Sequence, residues 1–513
     1  MNCFQKFIIG REPFNIIVSA DAYTTCGDCL VSDRAKKFSQ YYIANRYSPQ
    51  KVWSVAKDSR MVLWGLSDFI RNYLTKPITI NDINAAECFM SQSHINGGKL
   101  KFNRKIWEEI LYKYDGYLPI KIDALPECST FFPNEPVVVV SNTAPGFGEI
   151  AAHIEALLLG MVSIGSAAVT LRRHWLERIV EWMQLTNDKG KYDIAQNMVH
   201  DFGMRASSCS EESELLGKAH LLVFNGTDTF NAAYQAWSNG CNINTGKSIL
   251  ALAHRSIMGY DTEEECYNNL LSQDFIGSYV ADCYNFKNAV ENILIPLAIK
   301  NPEKIIVIRP DSGDSIDNTR LVIDAWKNQG SPANVRLIHG DSINPKSMEA
   351  IIQVCWNEGI NPKDFVVFGV GGFLRNSVTR DSLSSSYKLS CIASEKALEF
   401  TSVVKLSDTE TKLSVPGPNY LVRHNGDITT VKYGYSNKDC RVTYYDGCQQ
   451  EMELKFLPPC YEQFSKLQNR CINQFNEMSR YPADFGLHTN SCLSQEIKNI
   501  QKEFYLKYKG NNG

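Results

Sequence analysis

The sequence has little net charge. With 53 Lys and Arg against 56 Asp and Glu, it carries −3 over 513 residues, so nothing electrostatic points to nucleic acid or an anionic membrane as a partner. It also lacks a long uninterrupted apolar run. The longest, Ala156 to Leu171, is broken by Gly160, Ser163, Gly165 and Ser166 and bracketed by Glu155 and Arg172. A membrane helix needs about 20 predominantly apolar residues, so a buried core helix is expected instead. Met1 to Gly10 holds one Lys, and Arg11-Glu12-Pro13 interrupts before an apolar core develops, so no secretory signal is expected. The 16 cysteines follow no repeating frame, and Cys26-x-x-Cys29 has no second pair at zinc-site spacing. Reduced thiols in a cytoplasmic protein are the expectation. Internal repeats and low-complexity segments are missing too.

The composition is ordinary and globular, 44% hydrophobic and 21% charged, at a length that allows two or three domains. Phe14 to Ala20 reads as a strand, Val52 to Leu74 as helical, and Pro119 to Leu125 and Pro136 to Ser141 as strands. This is an α+β region without regular alternation. A helical stretch from Gly148 to Gln184 follows. Strands and helices then alternate. Strands are expected at Met198–Gly203, Leu221–Asn225, Ser248–Ala253, Gly277–Ala281, Lys304–Ile308, Asn334–Ile338 and Phe365–Phe368. Each precedes a helix, the last being Leu374–Leu383 after a glycine loop. That rhythm means right-handed βαβ units and a parallel sheet. From about Thr401 it is lost: Val403 to Gly417 is polar and loop-like, Ile428–Tyr435 and Val442–Tyr445 read as antiparallel strands, and Gln495 to Tyr508 as an amphipathic helix. The expected fold is α/β: an irregular (β/α) barrel over 151–400, plus an α+β domain assembled from 1–150 and 401–513.

The run Ile305-Ile306-Val307-Ile308 stops at Arg309-Pro310-Asp311-Ser312-Gly313, so a buried strand ends in one cation and one carboxylate. Its neighbours end in the same way, with Asp201 and Arg205, Asp228, His254, Asp282, Gly340 and Asp341, then Gly369-Val370-Gly371-Gly372. An Asp after one strand is commonly a helix cap. Repeated in unit after unit, such residues converge on one rim of a barrel. Cations and glycine loops ahead of helices suit phosphates, while the carboxylates suit Mg²⁺, ribose hydroxyls or developing positive charge. No lysine ends an expected barrel strand, which argues against Schiff-base aldolase chemistry.

Several motifs together carry a resemblance: Asp21-Ala22-Tyr23, Tyr114-Asp115-Gly116-Tyr117-Leu118-Pro119-Ile120, His200-Asp201-Phe202-Gly203-Met204-Arg205, Gly226-Thr227-Asp228-Thr229, Ile308 to Gly313, Gly340-Asp341 and Thr379-Arg380-Asp381. In order and spacing, from Asn15 to about Pro416, the chain resembles the nicotinamide phosphoribosyltransferase family of type II phosphoribosyltransferases. The resemblance implies a pentosyltransferase that joins nicotinamide to 5-phosphoribosyl-1-pyrophosphate in NAD salvage, releasing pyrophosphate. Phe202, with Tyr23 from a partner subunit of a homodimer, would stack on the pyridine ring beside Arg309. Asp228 would accept from the carboxamide and repel a carboxylate. Asp311 would hold the ribose, Gly340 and Asp341 the ribose and phosphate, and Gly371, Gly372 and Arg380 the 5′-phosphate. Arg205 and His254 would meet pyrophosphate, and Lys388, with Lys405 and Lys412, would add phosphate charge. Asp21, Ser248 and Ser278 are assigned to the same substrates. Mg²⁺ is the implied metal.

By the same resemblance, ATP would phosphorylate His254, with Asp282 fixing the ring tautomer. The family usually has Glu before this His and Ser after it, whereas this chain reads Ala253-His254-Arg255. The family also places an arginine on the strand after the first helix, a position for which Asn45 and Arg46 compete here. The rivals are a nicotinate phosphoribosyltransferase and a catalytically lapsed nucleotide-binding homologue.

Overall fold

The computed structural model describes residues 14–25, 37–92, 102–273, 275, 277–393, 400–407, 413–424, 427–432, 439–451, 455–477 and 493–509. Cys26, Cys29 and Lys412 lie outside them, as do Met1 to Gly10. The described part has two main sheets. One is parallel and seven-stranded, in the order Gly226–Thr227, Val199–Asp201, Val366–Val370, Val335–His339, Ile306–Arg309, Gly277–Val280 and Leu250–Ala251. Its two edge strands are neighbours in the chain, and a parallel bridge between Gly226 and Lys247 brings those edges together. The sheet thus curls into the irregular barrel that the strand-helix rhythm predicts.

Each strand needs a helix to cover its outer face, and two of those helices begin with clear side-chain caps. Asp314 accepts from the Ile316 and Asp317 amides at the start of Ser315–Asn328, and Asn344 caps Pro345–Asn357 in a capping box. Ile306 and Ile308 are fully buried, whereas Ile305, expected inside the strand, precedes it and is half exposed. The long apolar stretch forms Gly148–His153 and then Glu155–Trp182. The second helix is long and apolar enough to cross a membrane, but 72% of its apolar window is buried within the protein.

The other sheet is antiparallel and six-stranded: Phe400–Ser402, Ser385–Ala393, Phe38–Asn45, Val138–Asn142, Ile120–Ala124 and Val442–Asp446. Val442 pairs with Ala124 and Asp446 with Lys121, so the late segment does join the early sheet. A separate hairpin, Asn419–His424 with Asp427–Lys432, stands apart from it.

Four expectations change. Phe14 to Ala20 forms a short 3-10 turn, Ile16–Val18, whose Asn15 side chain caps the Ile17 amide; a local hydrogen bond outcompetes strand propensity there. Val52 to Leu74 is helical only from Leu66 onward, after the short strand Met61–Val62. Leu221 to Asn225 is apolar because it is the buried end of helix Ser210–Leu221 and the turn after it, and the strand comes later at Gly226–Thr227. The helix expected over Leu374–Leu383 is confined to Phe373–Asn376, consistent with the β-branched and cap-forming residues from Ser377 to Thr379.

Candidate active site

Pro310 ends its strand, so the Arg309 and Asp311 side chains both reach the carboxyl rim of the barrel. Arg309 Nη2 donates to Asp311 Oδ1 at 2.7 Å, and its guanidinium carbon lies 5.4 Å from the centre of the Phe202 ring. Such a cation beside an aromatic face is attracted by the ring quadrupole. Gly340 forms the adjacent wall: a Cβ there would sit 3.0 Å from Arg309 Nε and 3.1 Å from Asp311 Oδ1. Phe202 packs directly on Gly369, where any side chain would collide with the ring. Two glycines on neighbouring strands therefore make room for the aromatic-cationic pair.

Across the rim, Ser248 Oγ donates to Asp228 Oδ1 at 2.6 Å. Burial raises the Asp228 carboxyl above the ordinary range, and the Ser248 hydrogen bond and the charge of Arg309 pull it back. Asp228 is thus a partly desolvated acceptor within electrostatic reach of Arg309.

Asp282 is the junction between the histidine and this wall. Its Oδ1 lies 3.2 Å from His254 Nε2, and its Oδ2 accepts from the Asp311 amide at 3.1 Å and from the Ser312 hydroxyl. The carboxylate is nearly buried and His254 partly exposed. Asp282 therefore orients the ring through Nε2 and ties it to the strand end that carries Arg309. Arg205 is exposed on the turn Met204–Ala206. Asp341 is exposed and accepts from Ser342, and Gly371 and Gly372 open the turn into Phe373–Asn376. Ser278 is buried, and its hydroxyl donates to Leu250 O on the next strand.

The remaining residues gather elsewhere. Lys388 lies on Ser385–Ala393, paired in register with Tyr42. Burial lowers its ammonium pKa, and the charges of Lys405, Arg46 and Arg380 lower it further, against Glu155, which raises it. Glu155 also feels Arg380 and Asp21, and it raises the pKa of Tyr23, which is 73% exposed. Tyr23, Asp21, Arg46, Arg380, Lys388 and Lys405 thus form one electrostatic neighbourhood around Glu155. The structure also separates Asn45 from Arg46. Asn45 is buried and accepts from Ser385 Oγ, while Arg46 joins the cations. Glu155 was not among the sequence candidates; its charge just before an apolar helix is the signal that could have raised it.

Among the described residues, no group of three or more His, Cys, Asp or Glu is arranged to hold a metal. Carboxylates standing singly along the rim fit an ion such as Mg²⁺ that is bound mainly through substrate phosphates and water.

Comparison with known proteins is consistent along the chain. A nicotinamide phosphoribosyltransferase N-terminal domain model matches residues 15–122, and the nicotinate phosphoribosyltransferase (NAPRTase) family model matches 198–431. A nicotinamide phosphoribosyltransferase of Xanthomonas campestris is 31% identical over 349 residues, covering 64% of this chain and 73% of that protein. One of Acinetobacter baylyi is 26% identical, with the same two coverages. Among solved structures, human nicotinic acid phosphoribosyltransferase superposes with a TM-score of 0.58 at 13% identity, over 95% of this chain and all of that one. Nicotinate-nucleotide pyrophosphorylase from Pyrococcus furiosus gives 0.57 at 15%, over 93% of this chain and all of that one. At these identities the two structures speak to the fold alone.

The packing of Phe202 on Gly369 is directly testable. Gly369→Ala should destabilise the protein by about 1–3 kcal/mol through overpacking, read by urea denaturation. Adding Phe202→Ala should recover part of that loss. Additive losses would show that the two residues do not press on one another.

Proposed function

The chain belongs to the nicotinamide phosphoribosyltransferase family, and from that premise we propose that its barrel rim joins nicotinamide to 5-phosphoribosyl-1-pyrophosphate, releasing nicotinamide mononucleotide and pyrophosphate. The observation that carries this reading is the set of Arg309 beside the Phe202 ring with the half-buried Asp228 in electrostatic reach. A flat, weakly polar ring needs an aromatic face, and its carboxamide needs an acceptor. Asp228 supplies that acceptor and makes a carboxylate in the same place costly.

In this reading the pyridine nitrogen forms its bond to the anomeric carbon as the bond to pyrophosphate breaks, the electron pair leaving with pyrophosphate. Phe202 and Arg309 orient the ring. Asp311 and Asp341, with Gly340, hold the ribose while the carbon develops oxocarbenium character. Gly371 and Gly372 expose backbone amides for the 5′-phosphate, and Arg205 and His254 serve the pyrophosphate. Mg²⁺ would be held by pyrophosphate oxygens near the rim carboxylates and would supply charge neutralisation. ATP would enter at His254, its terminal phosphoryl passing to the imidazole as ADP leaves. Asp282 holds Nε2, and Arg255, exposed beside it, replaces the residue the family usually has there.

The group around Glu155 supplies what the rim lacks, a second aromatic and more phosphate-binding cations. We read it as serving the rim of a partner chain in a homodimer, with Tyr23 closing over the ring and Arg380 and Lys388 reaching the phosphates. The free thiols among the described cysteines support a cytoplasmic setting for this salvage step.

Purified protein should form nicotinamide mononucleotide with Mg²⁺ and use nicotinate poorly, assayed with and without ATP; no product with either base would overturn the function. Asp228→Asn should let nicotinate compete. The sign of the pH effect is set by the raised Asp228 carboxyl. It takes up a proton at higher pH than an ordinary carboxylate, so selectivity should fall as pH drops through that range. Selectivity unchanged in the variant would remove Asp228 from the role. The shared site is tested by mixing subunits. Tyr23→Ala and Asp311→Ala should each abolish most activity, and their co-assembly should restore about one quarter of it, the random-pairing expectation for a two-fold dimer. No recovery would contradict sharing.

A further inference from the structure

Behind the Phe202 turn lies a buried ion pair with no place in the reaction as described. Arg375 Nη2 donates to Asp201 Oδ2 at 2.9 Å, with both side chains essentially sealed from solvent. Asp201 precedes Phe202, and its other oxygen accepts from the Gly203 amide at 2.8 Å. Arg375 Nε donates to Ser207 Oγ at 2.8 Å, beyond Arg205 on the far side of the same turn. The guanidinium packs so closely on Gly203 that a Cβ there would be 2.8 Å from its central carbon. At its own end, the Arg375 amide donates to Gly372 O at 3.0 Å. One side chain thus rises from the turn that begins at Gly371-Gly372 and grips both ends of the turn that carries Phe202 and Arg205.

The surroundings make this grip stiff. Arg172, fully buried on the long helix, donates to Leu374 O at 3.1 Å and to Ala168 O at 2.9 Å. His220, also buried, lies within electrostatic reach of the same carboxylate. In so dry a place, removing one partner of an ion pair is far costlier than any net gain from having it. A chain that needed only packing could have used apolar residues. A guanidinium that donates in two directions, Nη2 to Asp201 and Nε to Ser207, by contrast fixes direction as well as distance.

We propose that Arg375 and Asp201 are positioning residues that hold the base-stacking turn and the phosphate turn as one unit, so that the ring and the 5′-phosphate of one substrate pair are placed together. The proposal rests on the functional reading of Phe202 and of Gly371-Gly372 given above. It predicts that loosening the grip weakens both substrates in parallel.

Steady-state kinetics and thermal melting of Ser207→Ala, Arg375→Lys and the neutral pair Asp201→Asn/Arg375→Gln test it. Ser207→Ala removes the Nε contact together with the long donation of its own Oγ to Gly203 O at 3.5 Å, and Arg375→Lys removes the two-armed grip, while the neutral pair leaves neither member of the ion pair as a lone charge should Arg375→Lys prevent folding. The KM values for nicotinamide and for the pyrophosphate donor should rise together by about tenfold, with the Ser207→Ala melting temperature near that of the parent. A rise in only one KM, or lower stability with both KM values unchanged, would overturn the proposal. Should the parent protein make no product, the coupling is read without turnover, from 4-fluorophenylalanine at position 202. Titrating inorganic phosphate should shift the fluorine resonance in the parent and not in Ser207→Ala. No shift in the parent, or an equal shift in both, would overturn the coupling.

Discussion

A parallel sheet covered by helices and curled on itself has no wet face, so polar side chains can gather only where its strands end. That constraint shapes the whole site. Arg309 with Asp311, Asp228, Asp282 and His254 come from segments well separated in sequence, yet each stands at or just past the carboxyl end of a strand of one sheet. Because neighbouring strands are in register, one residue can serve two of them. Asp282 reaches His254 on one side and the Asp311 amide on the other, and Gly340 leaves the space that Arg309 and Asp311 fill.

The rim follows from a local rule, which is why so much of it could be read from residues. Strands such as Ile306–Arg309, Val335–His339 and Val366–Val370 are short apolar runs followed by a polar residue or glycine and a helix start, and all three signals lie within a few positions. The antiparallel sheet offers no such local rule. Phe38–Asn45 pairs with Ser385–Ala393 across most of the chain, and neither segment announces its partner by composition. One barrel strand was misplaced because of burial on all sides: Leu221 to Asn225 is apolar as a strand would be, yet its first residue closes a helix. The Arg375–Asp201 pair was invisible for the same kind of reason, being a contact between two turns that only the curled sheet brings together.

Electrostatics divides the site into two groups with different demands. At the rim, acids and cations are paired or partly desolvated, as suits residues that must hold fixed directions toward a neutral ring and a sugar. Around Glu155, burial and then several neighbouring cations lower the pKa of the Lys388 ammonium. Like charges held together in this way are better satisfied by an anion with several oxygens than by one carboxylate. The exposed Tyr23 belongs to this second group.

The central claim is that the ring stacks on Phe202 beside Arg309 with its carboxamide at Asp228. A crystal structure with nicotinamide mononucleotide bound tests it most directly. The account predicts the pyridine ring stacked on Phe202, the carboxamide nitrogen within hydrogen-bond distance of Asp228, and the ribose hydroxyls at Asp311. A pyridine ring bound elsewhere, or turned so that its carboxamide points away from Asp228, would contradict it.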